Sequence, residues 1–251
     1  MKEMSYKDVE DVHWTLVGFF KDDLDSIDPP GVKSSDLLHS AISRPLTGIM
    51  SGIGFIYKYT TINHRAAALL HSLIKNHAFY NGNKRTALVS AVRYLDMNQV
   101  AVDATEDEYF DLVVDVAKNN YPRGVVGNSD SEVGYILDWF EKRTRRHETA
   151  LKVMSTQDFL DNCMKMGAKY RESKDGRSFV VTYRRKTVTI NRRHRTLQGA
   201  VQRDFIKKLG LSRGQTGVRF DEFQDGIDPN KNIIDKLVLV MRRLAAYDRE
   251  Q

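Results

Sequence analysis

The sequence predicts a mainly α-helical protein with a short β flap, followed by a small, basic α+β domain. Three observations carry this expectation. Through residue 148 the apolar residues recur at three- and four-residue spacing, interrupted once by a stretch rich in glycine, β-branched and aromatic residues. Farther on, two segments alternate apolar and polar residues with the period of half-buried strands. Charge divides near the same place: residues 1–150 hold 17 Lys+Arg and 21 Asp+Glu, net −4, whereas residues 151–251 hold 22 and 12, net +10. The 251-residue chain therefore reads as two domains, 1–148 and 149–251.

Val9, Val12, Leu16 and Phe20 form the first helical stripe. Ser34 or Ser35 suits the N-cap of a short helix with Leu37, Leu38, Ala41 and Ile42, and Pro45 lies just past its end. The segment from Pro45 to Thr61 fits an extended hairpin better than a helix. Helices resume with Ile62, Ala66, Leu69, Leu70, Leu73 and Ile74, and again with Ala87, Leu88, Ala91, Val92 and Leu95, so residues 76–83 must be the turn between them. Thr105 with Glu108, and Ser129 with Glu132, match capping boxes ahead of two more stripes. The cations of 141–148 suit the negative end of the last of these helices. In the second domain the expectations are a helix from Phe159 to Met166 ended by Gly167, and strands 179–183 and 187–191. A helix from Thr196 to Leu209, a strand near 217–223 and a last amphipathic helix through Ile233, Leu237, Met241 and Leu244 complete it.

The single cysteine, Cys163, excludes an intrachain disulfide and sits among Phe159, Leu160 and Met164 as a core residue would. No apolar run approaches the roughly 18 residues a membrane helix needs, and the charged start does not resemble a signal peptide. These features predict a soluble, cytoplasmic protein without a membrane partner. His13, His39, His64, His71, His147 and His194 show no metal-ligand spacing backed by carboxylates and read as packed or solvated.

The turn HAFYNGNKRTAL, residues 77–88, carries the chemistry. A helix start offers unpaired amides and a positive dipole end, Gly82 lets a phosphate approach the main chain, and Lys84 and Arg85 add charge. His77 stands on the opposite lip, and an imidazole with an ordinary pKa of about 6.5 can take a proton from an attacking hydroxyl.

This string resembles the Fic/Doc (filamentation/death-on-curing) motif, commonly H-x-F-x-[D/E]-[G/A]-N-[G/K]-R, and GVKSSDLLHSAISRP, the flap and AAALLHSLIKNH resemble the elements preceding it. The resemblance covers residues 1–148 and implies a Fic/Doc-type helical bundle with a β flap. It makes His77 the catalytic base, Phe79 the apolar anchor of the loop, and Gly82, Asn83, Lys84 and Arg85 the phosphate-binding residues. Lys84, and Leu88 where Fic adenylyltransferases usually carry a second Arg, are similar to the Doc branch, whose members resemble protein kinases. The implied activity is transfer of the terminal phosphoryl group of ATP, or another nucleoside triphosphate, to a hydroxyl of a target protein such as a translation factor. Adenylylation and a catalytically silent adaptor are the alternatives. Asn81 replaces the family's acidic residue, and an amide is a poorer ligand for Mg2+ than a carboxylate. No S/T-x-x-x-E-G/N inhibitory motif is present, so the resemblance implies a separate antitoxin. An exposed flap edge can hold an extended target peptide.

The clusters 183–186 and 191–195, with Arg203, Lys207 and Lys208, predict one positive face in the second domain, suited to RNA or a ribosome-associated target.

Overall fold

A computed structural model of the protein describes residues 1–251 except 53, 123, 124, 126, 147–151, 217, 219, 225, 227, 228, 250 and 251. Chain contacts divide it into one unit of Met1–His147 with Ile233–Gln251 and a second of Glu148–Asn232.

The first unit begins with α1 (Tyr6–Phe19), where Ser5 and Asp8 form a reciprocal capping box and Val9, Val12 and Leu16 are buried. Ser34 caps α2 (Ser35–Ser43), and Pro45 lies within the 3-10 turn, Arg44–Leu46, that follows. The flap is an antiparallel hairpin of β1 (Gly48–Ser51) and β2 (Gly54–Tyr57), pairing Gly48 with Tyr57 and Ser51 with Gly54. A Cβ on Gly48 would lie 2.1 Å from the Ile56 carbonyl oxygen, so only glycine lets these strands close. Thr61 caps α3 (Ile62–Asn76), which pairs with α4 (Asn83–Met97) across the turn. Both are buried over most of their length, with Arg65, His71, Ser72, Arg85, Thr86 and Ser90 as polar residues among the buried ones.

Next come β3 (Val100–Val102), α5 (Glu106–Lys118) and α6 (Ser129–Arg143). The capping box of Thr105 and Glu108 forms as the sequence predicts. The second box does not: Asn128 caps α6 by accepting from the amides of Asp130 and Ser131, while Glu132 turns inward and accepts from buried His71 Nε2. The basic run after α6 is also more than a helix end. Its residues Thr144–Arg146 form β4, paired antiparallel with β3, a nonlocal pairing that residue pattern did not reveal; His147 and Glu148 lie outside the described residues.

The second unit has β5 (Met154–Ser155), α7 (Thr156–Lys165), β6 (Lys169–Glu172), β7 (Ser178–Tyr183) and β8 (Lys186–Asn191). Next come β9 (Thr196–Leu197) and α8 (Gly199–Leu209), then the short helices α9 (Arg213–Thr216) and α10 (Phe220–Gln224). β6, β7 and β8 form an antiparallel meander, and β5 pairs with β9. Phe159, Leu160 and Cys163 of α7 and Ile206 and Leu209 of α8 pack with Val181, Val188 and Ile190 of the sheet. Burial pushes the Cys163 thiol up to about 12, so it is packing and not a nucleophile. The strand expected near 217–223 is helical where described, from Phe220 onward, and 217 and 219 lie outside the described residues.

The final amphipathic segment is two helices, α11 (Pro229–Lys236) and α12 (Val238–Arg249). It was expected in the second domain. Instead Ile233, Ile234, Leu237, Val240, Met241 and Leu244 join the core of the first unit with Val9, Leu70 and Val113. An apolar stripe tells that a helix is buried, not which core receives it. Among the described residues no helix is long and apolar enough to cross a membrane.

Candidate active site

The turn between α3 and α4 is held by contacts that begin far away in sequence. His77 ends α3 in the left-handed region, at φ 47°, which swings its exposed imidazole off the helix axis. The next residues run beside residues 31–34: the amides of Lys33 and Ser34 donate to the Ala78 carbonyl, and Tyr80 N donates to Gly31 O at 3.1 Å. Phe79 is buried beneath and stacks on His13, with ring centroids 4.2 Å apart. His13 Nε2 accepts from Gly31 N at 2.9 Å, so its proton sits on Nδ1, 3.0 Å from Thr86 Oγ1 in the first turn of α4. One buried imidazole thus ties α1, both sides of the turn and α4 together. Burial, with Arg85 nearby, lowers its pKa to about 4, which keeps this tautomer neutral.

Gly82 caps α4 at φ 74°, and a Cβ there would lie 2.9 Å from Ile27 Cδ1. Its small size is needed twice, for the conformation and for Ile27. Asn83 turns its amide back into the turn: Oδ1 accepts from Phe79 N and Nδ2 donates to Phe79 O, both at 2.9 Å. Its side chain therefore shapes the loop, and its contribution to an anion is the backbone N–H. Thr86 N donates to Gly82 O, closing the first helical bond, and no side chain caps the helix start, so the amides of residues 83–85 precede the ladder and are free for an anion.

A cleft of about 340 Å³ opens over this helix start, lined by His77, Tyr80, Asn81, Gly82, Asn83 and Lys84, with Lys118, Tyr247 and Asp248 opposite. Five of the seven residues singled out from the sequence for this turn meet there with Lys118, Tyr247 and Asp248, which sequence reading missed. Nothing in the pattern of α12 ties its polar end to a turn more than 150 residues earlier. Lys84 Nζ pairs with Asp248 Oδ1 and lies 5.8 Å from the Tyr247 ring centroid, and Lys118 Nζ lies 4.6 Å from the same ring. Partial desolvation, then the ammonium groups of Lys84 and Lys33, hold the His77 pKa below its ordinary value, Asp248 opposing them. That shift favours the neutral imidazole, the form a proton acceptor must take.

Two expected site residues sit differently. Arg85 is not on the cleft wall; it is 2% exposed, donates from Nη1 to the Asp25 carbonyl at 2.6 Å and stacks over Phe20. Its nearby carboxylate, Asp25, pairs with Arg249 at 2.9 Å. Burial in a first-turn position draws this guanidinium inward, where it adds positive potential beneath the helix start without lining the cleft. Asn81 does line the cleft, yet its Oδ1 accepts from Gly82 N at 2.6 Å and its Nδ2 donates to Asp28 O at 2.9 Å.

These commitments bear on what the cleft can hold. A phosphate group fits: free amides, the Lys84 ammonium and the buried, unpartnered hydroxyl of Tyr247 all border it. A magnesium ion held by protein carboxylates does not fit, because Asn81 Oδ1 is engaged and Asp248 is paired with Lys84. Among the described residues no cluster of three or more His, Cys, Asp or Glu suits a metal ion.

Comparison with known proteins matches residues 3–95 to the model of the Fic/DOC family. The chain is also 39% identical over 88 residues to Toxin Doc of Mycolicibacterium smegmatis, covering 34% of this chain and 65% of that protein. The family match contains the turn and ends within α4.

Proposed function

We propose, from the premise that residues 3–95 are a Fic/Doc-family segment, that this protein is a Doc-like toxin that phosphorylates a hydroxyl of another protein. One observation carries the reading: an exposed histidine and an uncapped helix start with a lysine face the same cleft. The terminal phosphate of ATP rests against the amides of residues 83–85 and the Lys84 ammonium, which exchanges Asp248 for the nucleotide. His77 takes the proton of the target hydroxyl as its oxygen bonds to the γ-phosphorus. The bond from that phosphorus to the β–γ bridging oxygen breaks, and ADP leaves with the electron pair. ATP supplies the phosphoryl group; the chain supplies the base, the positioning and the positive charge. The flap, with Ile49, Met50, Phe55, Ile56 and Tyr57 all exposed, holds an extended segment of the target by strand addition. The likeness to Toxin Doc supports a separate antitoxin as restraint; a translation factor is the target that the motif's resemblance implies.

A silent adaptor is the second reading, favoured by the engaged Asn81 amide. Incubating a cell extract with the protein and ATP labelled at the γ or α phosphate separates the readings. Label from γ alone, lost in His77→Ala, is the expected result. Label from α means nucleotidyl transfer instead. Label absent from the wild type but strong in Asn81→Asp means a site disabled by that one substitution, and absence from both leaves the adaptor.

A further inference from the structure

We infer that the open face of the β6–β7–β8 sheet in the second unit is a binding surface for double-stranded RNA. The strands alternate strictly. Tyr170, Phe179, Val181, Tyr183, Val188 and Ile190 turn toward α7 and α8 and pack in the core. The register therefore puts the side chains between them on the opposite face. Lys169 and Arg171 come from β6; Ser178, Val180 and Thr182 from β7; Thr187, Thr189 and Asn191 from β8. Among the described residues, α7 and α8 pack on the core face, and Lys169, Arg171, Thr187, Thr189 and Asn191 are exposed.

The chemistry of the face selects its partner. It carries two cations, four hydroxyls, one amide, one aliphatic group and no carboxylate. Around it, residues 169–195 hold ten Lys and Arg against two carboxylates, and both carboxylates are engaged. Glu172 pairs with Arg192 at 3.1 Å, and Asp175 accepts from Ser173 Oγ and Arg177 N. Among the described residues Lys169, Arg171, Arg184, Arg185, Arg193 and Arg195 form no ion pair. A polyanion is the complement of such a field.

The face has no aromatic side chain, so it lacks the stacking platform with which proteins grip single strands. Three strands span about 10 Å between outer backbones, too broad with side chains for a B-DNA major groove of about 12 Å. The minor groove of A-form RNA is wide and shallow and displays 2′-hydroxyls, which Ser, Thr and Asn side chains can meet while the cations reach the flanking phosphates. The helix cations that the sequence grouped with this patch belong elsewhere. Arg203 stacks on Phe220 and Lys208 pairs with Asp204 on α8, which lies on the core side of the sheet.

The test uses the full chain and fluorescence anisotropy with a labelled RNA duplex of about 20 base pairs. The same length of DNA duplex, single-stranded RNA and phosphatidylserine vesicles complete the comparison. Tightest binding to the RNA duplex, independent of sequence and falling steeply between about 50 and 200 mM salt, is expected. The double variant Lys169→Glu with Arg171→Glu should weaken it by about tenfold or more. Lys207→Glu with Lys208→Glu, an equal change of net charge on α8, should leave it within about twofold. Circular dichroism checks that both variants fold. Equal losses in the two variants, tighter binding to DNA, single strand or vesicles, or no binding would each overturn the inference. His77→Ala should bind RNA as the wild type does, which separates this surface from the proposed transferase.

Discussion

The turn of the first unit and the sheet of the second both gather positive charge for an anion, yet they do so in opposite ways. Around the turn nearly every polar group is already committed: Asn83 to Phe79, Asn81 to Gly82 and Asp28, Arg85 to Asp25, Lys84 to Asp248. On the sheet Lys169 and Arg171 stand in solvent with no ion pair among the described residues. A site that positions a reacting atom needs side chains fixed by their neighbours, whereas a surface that meets a uniform backbone needs charge free to move. The difference teaches that cations in a sequence do not announce which kind of site they serve; their neighbours do.

The largest expected effect on this contrast is chemical. His77→Ala should lower γ-phosphate transfer by about 10²-fold or more while leaving RNA affinity unchanged, and a parallel loss of both would dissolve the distinction. Next is the membership of the C-terminal helix. Met241 is fully buried in the first unit's core, so Met241→Ala should cost about 2–5 kcal/mol. Both tryptophans, Trp14 and Trp139, lie in that unit, so their fluorescence reports its unfolding alone. A helix that belonged to the second unit would leave that transition where it was.

His13 gives an effect of similar size that depends on pH. Its pKa is near 4 when folded and about 6.5 when unfolded, so as pH falls the unfolded chain binds the proton first. Its contribution, on the order of 3 kcal/mol, is complete above pH 6.5 and lost as pH falls toward 4. Urea unfolding followed by tryptophan fluorescence should show that acid-side slope, and His13→Gln should reduce it. The part left over includes His71, His64 and His77, whose pKa values burial also lowers. Gly82→Ala should be milder, about 1–3 kcal/mol of strain at a positive φ, seen as a lower midpoint in the same assay. Smallest is Asp248→Asn. Releasing Lys84 from a partly exposed pair should tighten ATP binding by no more than about fivefold, read by titration calorimetry; weaker binding would mean that Asp248 belongs to the nucleotide site.

Much of the first unit was legible because its elements are long, strongly periodic and locally punctuated. Ser34, Thr61 and Thr105 cap the helices that the stripes predict, and Gly48 and Gly54 mark the flap. The candidate turn was legible too, since its motif is one contiguous string. What escaped were partners chosen at a distance. Glu132 fits a local capping box as well as it fits His71, and the buried histidine is the partner that burial requires. The short strands β4 and β6 carry too little alternation to stand out from charged loops.

Residue order alone specifies helices, a flap, a histidine facing a glycine-led helix start, and an acidic part followed by a basic one. These are properties of neighbouring residues, written in spacing and composition. Long-range packing is what returns α12 to the first unit, brings Asp248 to Lys84, turns Arg85 inward, and sets Lys169 and Arg171 on one face with the hydroxyls of β7 and β8. The physical reason is that hydrophobic burial is non-directional. A stripe or an alternation fixes which side of an element must leave water, and the shape and charge of the surfaces available fix where it goes.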